Sequence, residues 1–244
     1  MGKYLLPRLR LVRKFGHLPG MSRKLLKYRC KTPGQHGKFI SENNMKSLKD
    51  DYLERLREKQ RLRFNFGIQE KQMHKYYLLA KKKNCIAKES LLVLLESRLD
   101  TLIFRGGFTT TIPSARQIVN HGHVLVNNKK ITIPSFNCKQ GDIITIRKKS
   151  SSKDLIFRLI LKTQTSLKAL IDRKDKYIMD LLSSRDTDQI NEAIRLTKLK
   201  VRLGIPNYLK SDFQFPSIKI MSKISADETH IAIDEQKITE YYSK

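Results

Sequence analysis

The fold is decided by residues 91–147, where a hydrophobic helix precedes a short basic helix opening at Ser114-Ala115-Arg116-Gln117 and the strand-like run Val124-Leu125-Val126-Asn127. Leucines and an isoleucine recur at three- and four-residue steps from Leu91 to Ile103, the spacing of a core-facing helix. We expect this helix to continue to Gly106-Gly107. Together the three elements predict a compact platform that holds polar and basic side chains toward a partner.

Helical patterns also occur outside this platform. A capping signature at Ser47 and Asp50 begins a helix that runs to Phe66. Thr111 is a suitable N-cap for the short basic helix, and Pro113 is tolerated in its first turn. Further helices are expected at about Gln69–Lys83, Leu155–Leu170 and Asn191–Leu203.

Short strands follow the basic helix. Asn127-Asn128 supplies a tight hairpin turn between the first two. An apolar alternation returns near the C-terminus at Ile218 and Ile220, and again at Ile231 and Ile233. The strands are expected at Val124–Val126, Lys129–Ile133 and Asp142–Ile146, so the fold class is α+β.

The charge of the chain is strongly positive. Its 244 residues contain 50 Lys and Arg against 23 Asp and Glu, a formal net charge of +27 with a pI near 10.1. An excess of this size repels itself in a compact fold unless a polyanion neutralises it. Nucleic acid is the expected partner.

Other functional classes find little support. Cys30, Cys85 and Cys138 form no C-x-x-C pair, so we expect reduced thiols and no metal site. Phosphate-binding loops, nucleophile elbows and zinc-protease motifs are absent from the sequence. We also expect no membrane span and no secretory signal.

The basic helix carries the side chains best suited to RNA. Arg116 suits a phosphate, whereas Gln117, Asn120 and the histidines at 121 and 123 can hydrogen-bond bases or ribose. Backbone N–H groups near Ser114, at the helix N-terminus, also favour a phosphate. By contrast, Glu96, Arg98 and Asp100 lie among core leucines and are interpreted as an intramolecular ion-pair set.

Several motifs resemble one family, small-subunit ribosomal protein S4 in its plastid form. Each is weak alone, but their order along the chain is specific. Thr110-Thr111-Ile112-Pro113 and Cys138 resemble the plastid branch of the family. The matching motifs are Arg8-Leu9-Arg10-Leu11-Val12-Arg13-Lys14, Leu18-Pro19-Gly20, Pro33-Gly34-Gln35-His36-Gly37, residues 56–63, Leu95–Asp100, Ala115–His123, Val126-Asn127, Ile133-Pro134-Ser135 and Ile238–Ser243.

The resemblance implies five segments. They are a basic N-terminal arm (1–46), a helical domain (47–88, joined by the C-terminal end at about 233–244), an RNA-binding domain of two helices against a short-stranded sheet (89–147), a helical insertion (148–203) and C-terminal strands that return to the RNA-binding domain (204–232). Some family members bind zinc through N-terminal cysteines. This chain keeps only Cys30 there, so zinc is not expected.

The resemblance also implies a non-enzymatic constituent of the plastid small ribosomal subunit that needs no cofactor and no small-molecule substrate. It would bind small-subunit rRNA as a primary binder, nucleate assembly of the subunit body, contact neighbouring ribosomal proteins and contribute to translational accuracy. The expected RNA-binding residues are Arg8, Arg10, Arg13, Lys14, Gln35, His36, Arg55, Arg57, Lys59, Arg61, Arg63, Arg105, Ser114, Arg116, Gln117, Asn120, His121, His123, Asn127, Lys129 and Lys130.

Two alternatives remain open from the sequence. An RNA-modifying enzyme such as a pseudouridine synthase would need an added catalytic domain, for which residues 148–203 are too short and too basic. A free, stress-related RNA binder would not need the matching N-terminal arm and C-terminal tail.

Overall fold

The computed structural model describes residues 7–22, 32–34, 51–82, 87–147, 205–212, 216–224, 231 and 234–243. Within these residues the chain forms seven helices and five strands. The helices are α1 (Arg8–Phe15), α2 (Asp51–Phe66), α3 (Glu70–Lys82), α4 (Ala87–Glu96), α5 (Leu99–Arg105), α6 (Ile112–Asn120) and α7 (Glu235–Ser243). The strands are β1 (Val124–Val126), β2 (Lys129–Lys130), β3 (Ile143–Ile146), β4 (Leu209–Asp212) and β5 (Ser217–Ile220). The expected α+β class is confirmed.

The five strands form one antiparallel sheet in the order β2-β1-β3-β5-β4. One face packs on α5 and α6, where Leu102, Val119 and Ile218 are fully buried. The strands that follow residue 204 therefore complete the sheet begun by β1–β3, and the alternation at Ile218 and Ile220 gives the predicted buried face of β5. We call the opposite face of this sheet the outer face.

A second core lies between α2, α3, α4 and α7. Phe66, Met73, Leu95 and Ile238 are buried there together. Burial of these apolar side chains is the main force that holds the four helices together. The C-terminal helix is thus part of this helical unit, although it is encoded far from it in the sequence.

The α7 helix is also held by ion pairs. Glu240 accepts a hydrogen bond from Arg55 of α2 at 2.7 Å, and Lys237 lies 2.9 Å from Glu54. Tyr242 donates to Glu70 of α3 at 2.8 Å. Basic residues of α2 therefore serve an intramolecular purpose in addition to any contact with a partner.

The expected single helix from Leu91 to the glycines at 106–107 is wrong. It is two helices, α4 and α5, separated at Ser97 and Arg98, and Arg98 is extended at φ −69° and ψ 140°. The backbone of this break pairs with the segment before Cys138: Cys138 N–H donates to Ser97 at 2.9 Å, and Leu99 N–H donates to Phe136 at 2.9 Å. These hydrogen bonds replace those of a continuous helix.

Other boundaries agree closely with the sequence pattern. Thr111 is the N-cap of α6 and accepts a hydrogen bond from Ser114 N–H, with Pro113 in the first turn, as predicted. Asn127 and Asn128 have φ of +50° and +64°, which confirms the hairpin turn. The second strand is shorter than expected and ends at Lys130, ahead of a turn at residues 134–135.

Some expected elements fall on residues outside those described. They are the helix start at Ser47, the helices at 155–170 and 191–203, and Ile233. Ile231 is described, and it packs against Leu11, Val12 and Phe15 of α1 in a third apolar cluster.

The two main cores meet at the Asp100 cluster, which consists of Asp100, Arg98 and Arg116. Both carboxylate oxygens of the fully buried Asp100 accept from Arg98, at 3.0 Å each. Arg116 Nε and Nη2 donate to Asp100 Oδ2 at 3.0 and 2.7 Å. The same arginine donates to the carbonyls of Phe66 and Gly67 at the end of α2, at 3.0 and 2.8 Å. One carboxylate thus ties α5 and α6 to the helical core.

We expect Asp100→Asn to destabilise the protein by about 3–5 kcal/mol, because it leaves the buried Arg98 guanidinium without a counter-charge. Chemical denaturation measures the free energy of unfolding. Asp51→Asn is the matched control, since the Asp51 side chain is 83% exposed and lies 3.8 Å from Arg55, a pair worth little. Equal stability of the two variants would contradict the central role of Asp100.

Candidate nucleic-acid interface

Four basic side chains meet where α6 ends and the sheet begins. We call His121, His123, Lys130 and Arg147 the cationic corner. The imidazoles of His121 and His123 lie 5.8 Å apart between centroids, and Arg147 N–H donates to the His123 carbonyl at 2.9 Å. The corner is positioned by α6, β1, β2 and β3 together.

Gly122 makes this corner possible. Its φ is +73°, which favours glycine, and a Cβ at this position would collide with the Lys130 side chain. Lys130 therefore lies over the turn between α6 and β1, beside the histidines. The result is a concentration of positive charge on a short turn and one end of the sheet.

The positive charges of the corner affect the pKa of His123. Its pKa lies below the ordinary value because of partial burial and then the nearby charges of His121, Arg147 and Lys130. A phosphate among these groups would relieve the repulsion between them. The corner is therefore suited to bind an anion.

Asn127 is exposed, and its side chain also forms hydrogen bonds within the protein. Its side-chain oxygen accepts from Ile143 N–H at 3.0 Å, and its amide donates to Asp142 at 2.8 Å. Asp142 in turn accepts from Lys139 N–H at 2.7 Å. These bonds fix the hairpin turn, so Asn127 positions the adjacent Lys129 and Lys130.

Arg116 was expected to contact RNA. Instead, its guanidinium is held by Asp100 and by two backbone carbonyls, and the side chain is largely buried. The residue links α6 to the end of α2. Arg116 therefore has a structural role within the protein, and its contact with RNA stays a prediction.

Arg105 and Lys59 also face inward. Arg105 is 6% exposed and lies 3.5 Å from the buried Glu96. Lys59 is 3% exposed, donates to Glu70 at 2.9 Å and lies 4.2 Å from the Tyr241 ring centroid. Burial would raise the pKa of Glu70, but hydrogen bonds from Lys59 and Tyr242 and the charges of Lys59 and Arg63 hold it below its ordinary value. Both cations are paired with acids inside the protein, and their contact with RNA stays a prediction.

The intramolecular ion-pair set expected from the sequence is confirmed by these contacts. Arg98 pairs with Asp100 at 3.0 Å, and Arg105 pairs with Glu96. Tyr208, just before β4, donates to the same Glu96 at 3.4 Å.

The remaining expected contact residues fall into four groups. Three α2 arginines lie near acids: Arg55 with Glu240, Arg61 with Glu58 at 3.7 Å and Arg63 with Glu70 at 3.9 Å. Gln35 and His36 lie outside the described residues, while Arg13, Ser114 and His123 are partly buried. The exposed ones are Arg8, Arg10, Lys14, Arg57, Gln117, Asn120, His121, Asn127, Lys129 and Lys130.

Arg147 was missed by the sequence interpretation. It is exposed, and it follows β3 at the position that alternation places on the outer face with Ile143 and Thr145. Extending the period-two pattern by one residue past the strand would have identified it.

The described residues offer no alternative metal or membrane site. Among them, no group of three potential ligands lies close enough to hold an ion, and no helix is long and apolar enough to cross a membrane.

Burial, followed by the charges of Asp142 and Asp100, raises the pKa of the Cys138 thiol to about 12, which makes it a poor nucleophile.

Two family descriptions match the chain. Residues 3–96 match "Ribosomal protein S4/S9 N-terminal domain", and residues 97–144 match "S4 domain". The second match contains α5, α6, β1, β2 and the start of β3.

Full-length relatives extend the match. The "Small ribosomal subunit protein uS4c" of Gracilaria tenuistipitata var. liui is 36% identical over 244 residues, all of both chains. That of Prototheca wickerhamii is 36% identical over 245 residues, covering 100% of this chain and 99% of its own. That of Cyanophora paradoxa is 46% identical over 156 residues, covering 64% of this chain and 75% of its own.

The fold defines a protein built on an S4 domain, which is an RNA-binding domain. The chain belongs to the small ribosomal subunit protein uS4 family, in its plastid form. It is a structural constituent of the small subunit of the plastid ribosome, as the resemblance implied.

We expect Arg116→Ala to lower the free energy of unfolding by about 1–3 kcal/mol, because it leaves the Phe66 and Gly67 carbonyls without their charged donor. Gln117→Ala, an exposed change on the same helix, is the control and should leave stability nearly unchanged. Thermal and chemical denaturation measure both variants, and an unchanged Arg116→Ala protein would show that these bonds contribute little.

The His123 imidazole of the free protein should titrate below its ordinary value of 6.5. Because folding disfavours its proton, the unfolded chain binds that proton first, and stability falls as the pH drops through 6.5. Nuclear magnetic resonance titration measures the pKa directly. Arg147→Gln should move it upward, and a value above 6.5 in the unchanged protein would contradict the described surroundings.

Proposed function

We propose that this protein is a primary binder of small-subunit rRNA that helps to nucleate assembly of the subunit body. In this role it has no catalytic activity. The observation that supports the proposal best is the cationic corner, built on an S4 domain in a chain of net charge +27. Such a surface binds a folded polyanion mainly through its phosphates.

The arrangement of donors at the corner fits RNA. The cations of Lys130 and Arg147 provide phosphate contacts, while Gln117 and Asn120 lie exposed on α6, the helix that leads to the corner. Amide side chains of this kind hydrogen-bond base edges and ribose hydroxyls. The combination supports contact with a folded RNA junction, where phosphates and unpaired bases are both accessible.

The basic helix α1 provides a second set of contacts. Arg8, Arg10 and Lys14 are exposed, while Leu11, Val12 and Phe15 fix the helix to the protein. Gly20, just beyond α1, accepts from Ile112 N–H at 2.8 Å and donates to Asn65 at 2.9 Å. These bonds anchor the arm between α2 and α6, so its arginines are held near the S4 domain.

Neighbouring ribosomal proteins are the second class of partner that we propose. The start of α2 exposes Tyr52 and Leu53, at 55% and 39%, beside Tyr241 of α7. Exposed aromatic side chains such as that of Tyr52 are enriched at protein interfaces. Contacts of this protein with its neighbours would give it a part in translational accuracy.

Binding to purified small-subunit rRNA should be tight and should weaken steeply with salt. For six to ten phosphate contacts, the duplex-DNA yardstick gives a loss of about a thousandfold or more between 50 and 200 mM. Filter binding over that range measures the slope, and sedimentation tests whether the protein travels with the small subunit. A flat salt response would contradict the proposal.

The contribution of the corner is tested by Lys130→Gln/Arg147→Gln. Removing two phosphate contacts should reduce the magnitude of the salt slope by about 1 to 2. The control is Lys71→Gln/Lys75→Gln, which removes the same charge from exposed positions on α3. Should both variants lose affinity equally, only net charge matters and the corner is not the binding site.

A further inference from the structure

Two lysines face one another on the outer face of the sheet. Lys210 of β4 and Lys219 of β5 are direct partners in the antiparallel register. Their strand neighbours Leu209, Ile218 and Ile220 are buried on the opposite face, and both lysines are exposed. Within the described part of the chain, no ion pair joins either lysine to an acid.

Such a pairing is unfavourable in the free protein. Directly opposite residues in an antiparallel pair have Cβ atoms about 4.5–5.5 Å apart, and like charges at this spacing destabilise the sheet. A phosphate between the two ammonium groups would replace the repulsion by two attractive contacts. The register therefore suits an anion bound above β4 and β5.

The surrounding outer face fits the sugar–phosphate backbone. Lys219 is also the direct partner of Ile143 in β3, and the adjacent row carries the hydroxyls of Thr145 and Ser217. Hydroxyl side chains are common donors to phosphate and ribose oxygens. Asp212 lies at the edge of that row and already takes part in an interaction within the chain.

This surface continues the cationic corner. Arg147 and Ile143 lie on the same face of the β3 line, four residues apart, which is roughly 13 Å along a strand. Lys219 and Lys210 then lie one and two strands further across the sheet, at about 4.8 Å per strand. A single RNA strand that leaves the corner would cross both lysines.

We propose that the outer face of the sheet is a second RNA-binding surface, in which Lys210 and Lys219 together hold a phosphate of the rRNA backbone. The inference rests on the proposed function and extends it to a surface remote from α6. The segment at 148–203 is a poor ligand for this surface, because its Lys and Arg residues outnumber its Asp and Glu residues. The hydroxyl row and the continuity with the corner favour RNA over an acidic segment of a neighbouring protein.

The test compares Lys210→Gln/Lys219→Gln with Lys71→Gln/Lys75→Gln, both in the full chain and bound to purified small-subunit rRNA. The first variant should reduce the magnitude of the salt slope by about 1 to 2, and the control should change it less. Because the substitution removes a repulsion, the melting temperature of the free protein should be unchanged or higher. Weaker RNA binding without loss of stability separates binding from folding.

The outcomes distinguish this inference from the proposed function. If the unchanged protein binds rRNA with a steep salt slope and the two variants behave alike, the outer face is not an RNA surface. The Lys210→Gln/Lys219→Gln protein could also bind rRNA normally but fail to join subunits that contain the other proteins. That result would show that the outer face binds an acidic protein partner instead of RNA. If the unchanged protein ignores rRNA, it is the proposed function that fails.

Discussion

The structure depends on one buried carboxylate shared by two arginines. Removing Asp100 from water is costly, and the cost is offset only because Arg98 and Arg116 both donate to it and because Thr101 N–H adds a further bond at 3.0 Å. Two cations against one anion leave an excess positive charge, which is accommodated by acceptors from elsewhere. Arg98 donates to the Tyr76 hydroxyl of α3 at 2.6 Å, and Arg116 donates to carbonyls at the end of α2. The N–H groups of Arg98 and Arg116 that do not bind Asp100 therefore donate to acceptors in the helical unit. These hydrogen bonds fix the S4 domain against the helical unit.

The cations of this basic chain thus serve two different purposes. Some are neutralised by the protein itself: Arg55 holds α7 against α2 through Glu240, 185 residues away, and Lys59 holds α3 against α2 through Glu70. Others, such as Lys130, Arg147 and the lysines of β4 and β5, stay on the surface. The net charge indicates that the partner is negatively charged, but it does not identify the side chains that contact the partner. The distinction depends on which acids the fold brings near each cation.

Local chemistry was predictable, and long-range pairing was not. The Thr111 cap and the Asn127-Asn128 turn depend on residues a few positions apart, so the sequence predicts both correctly. The break at Ser97 and Arg98 does not follow from its own residues, because leucine spacing on both sides favours a continuous helix. It results from backbone bonds to the segment at 136–138, some forty residues later. Lys59 shows the same limit of sequence-based prediction. Because its neighbours on α2 are basic, the sequence predicted that it binds phosphate, whereas in the structure it contacts Glu70 and Tyr241.

The order of the sheet explains how the chain accommodates the long segment between β3 and β4 without disturbing the outer face. Strands β3 and β4 both flank β5 and run parallel to each other, so the end of β3 and the start of β4 lie two strands apart and at opposite ends of the sheet, roughly 16 Å from one another. The entropy of closing a flexible loop between fixed ends grows only logarithmically with its length, by about 0.6 kcal/mol per doubling. Extra residues there cost little once the sheet is closed, and the three residue pairs between β3 and β5 and the four between β5 and β4 are retained whatever the length of the connection. The outer face, which is set by register alone, is therefore insulated from changes in the segment that interrupts it.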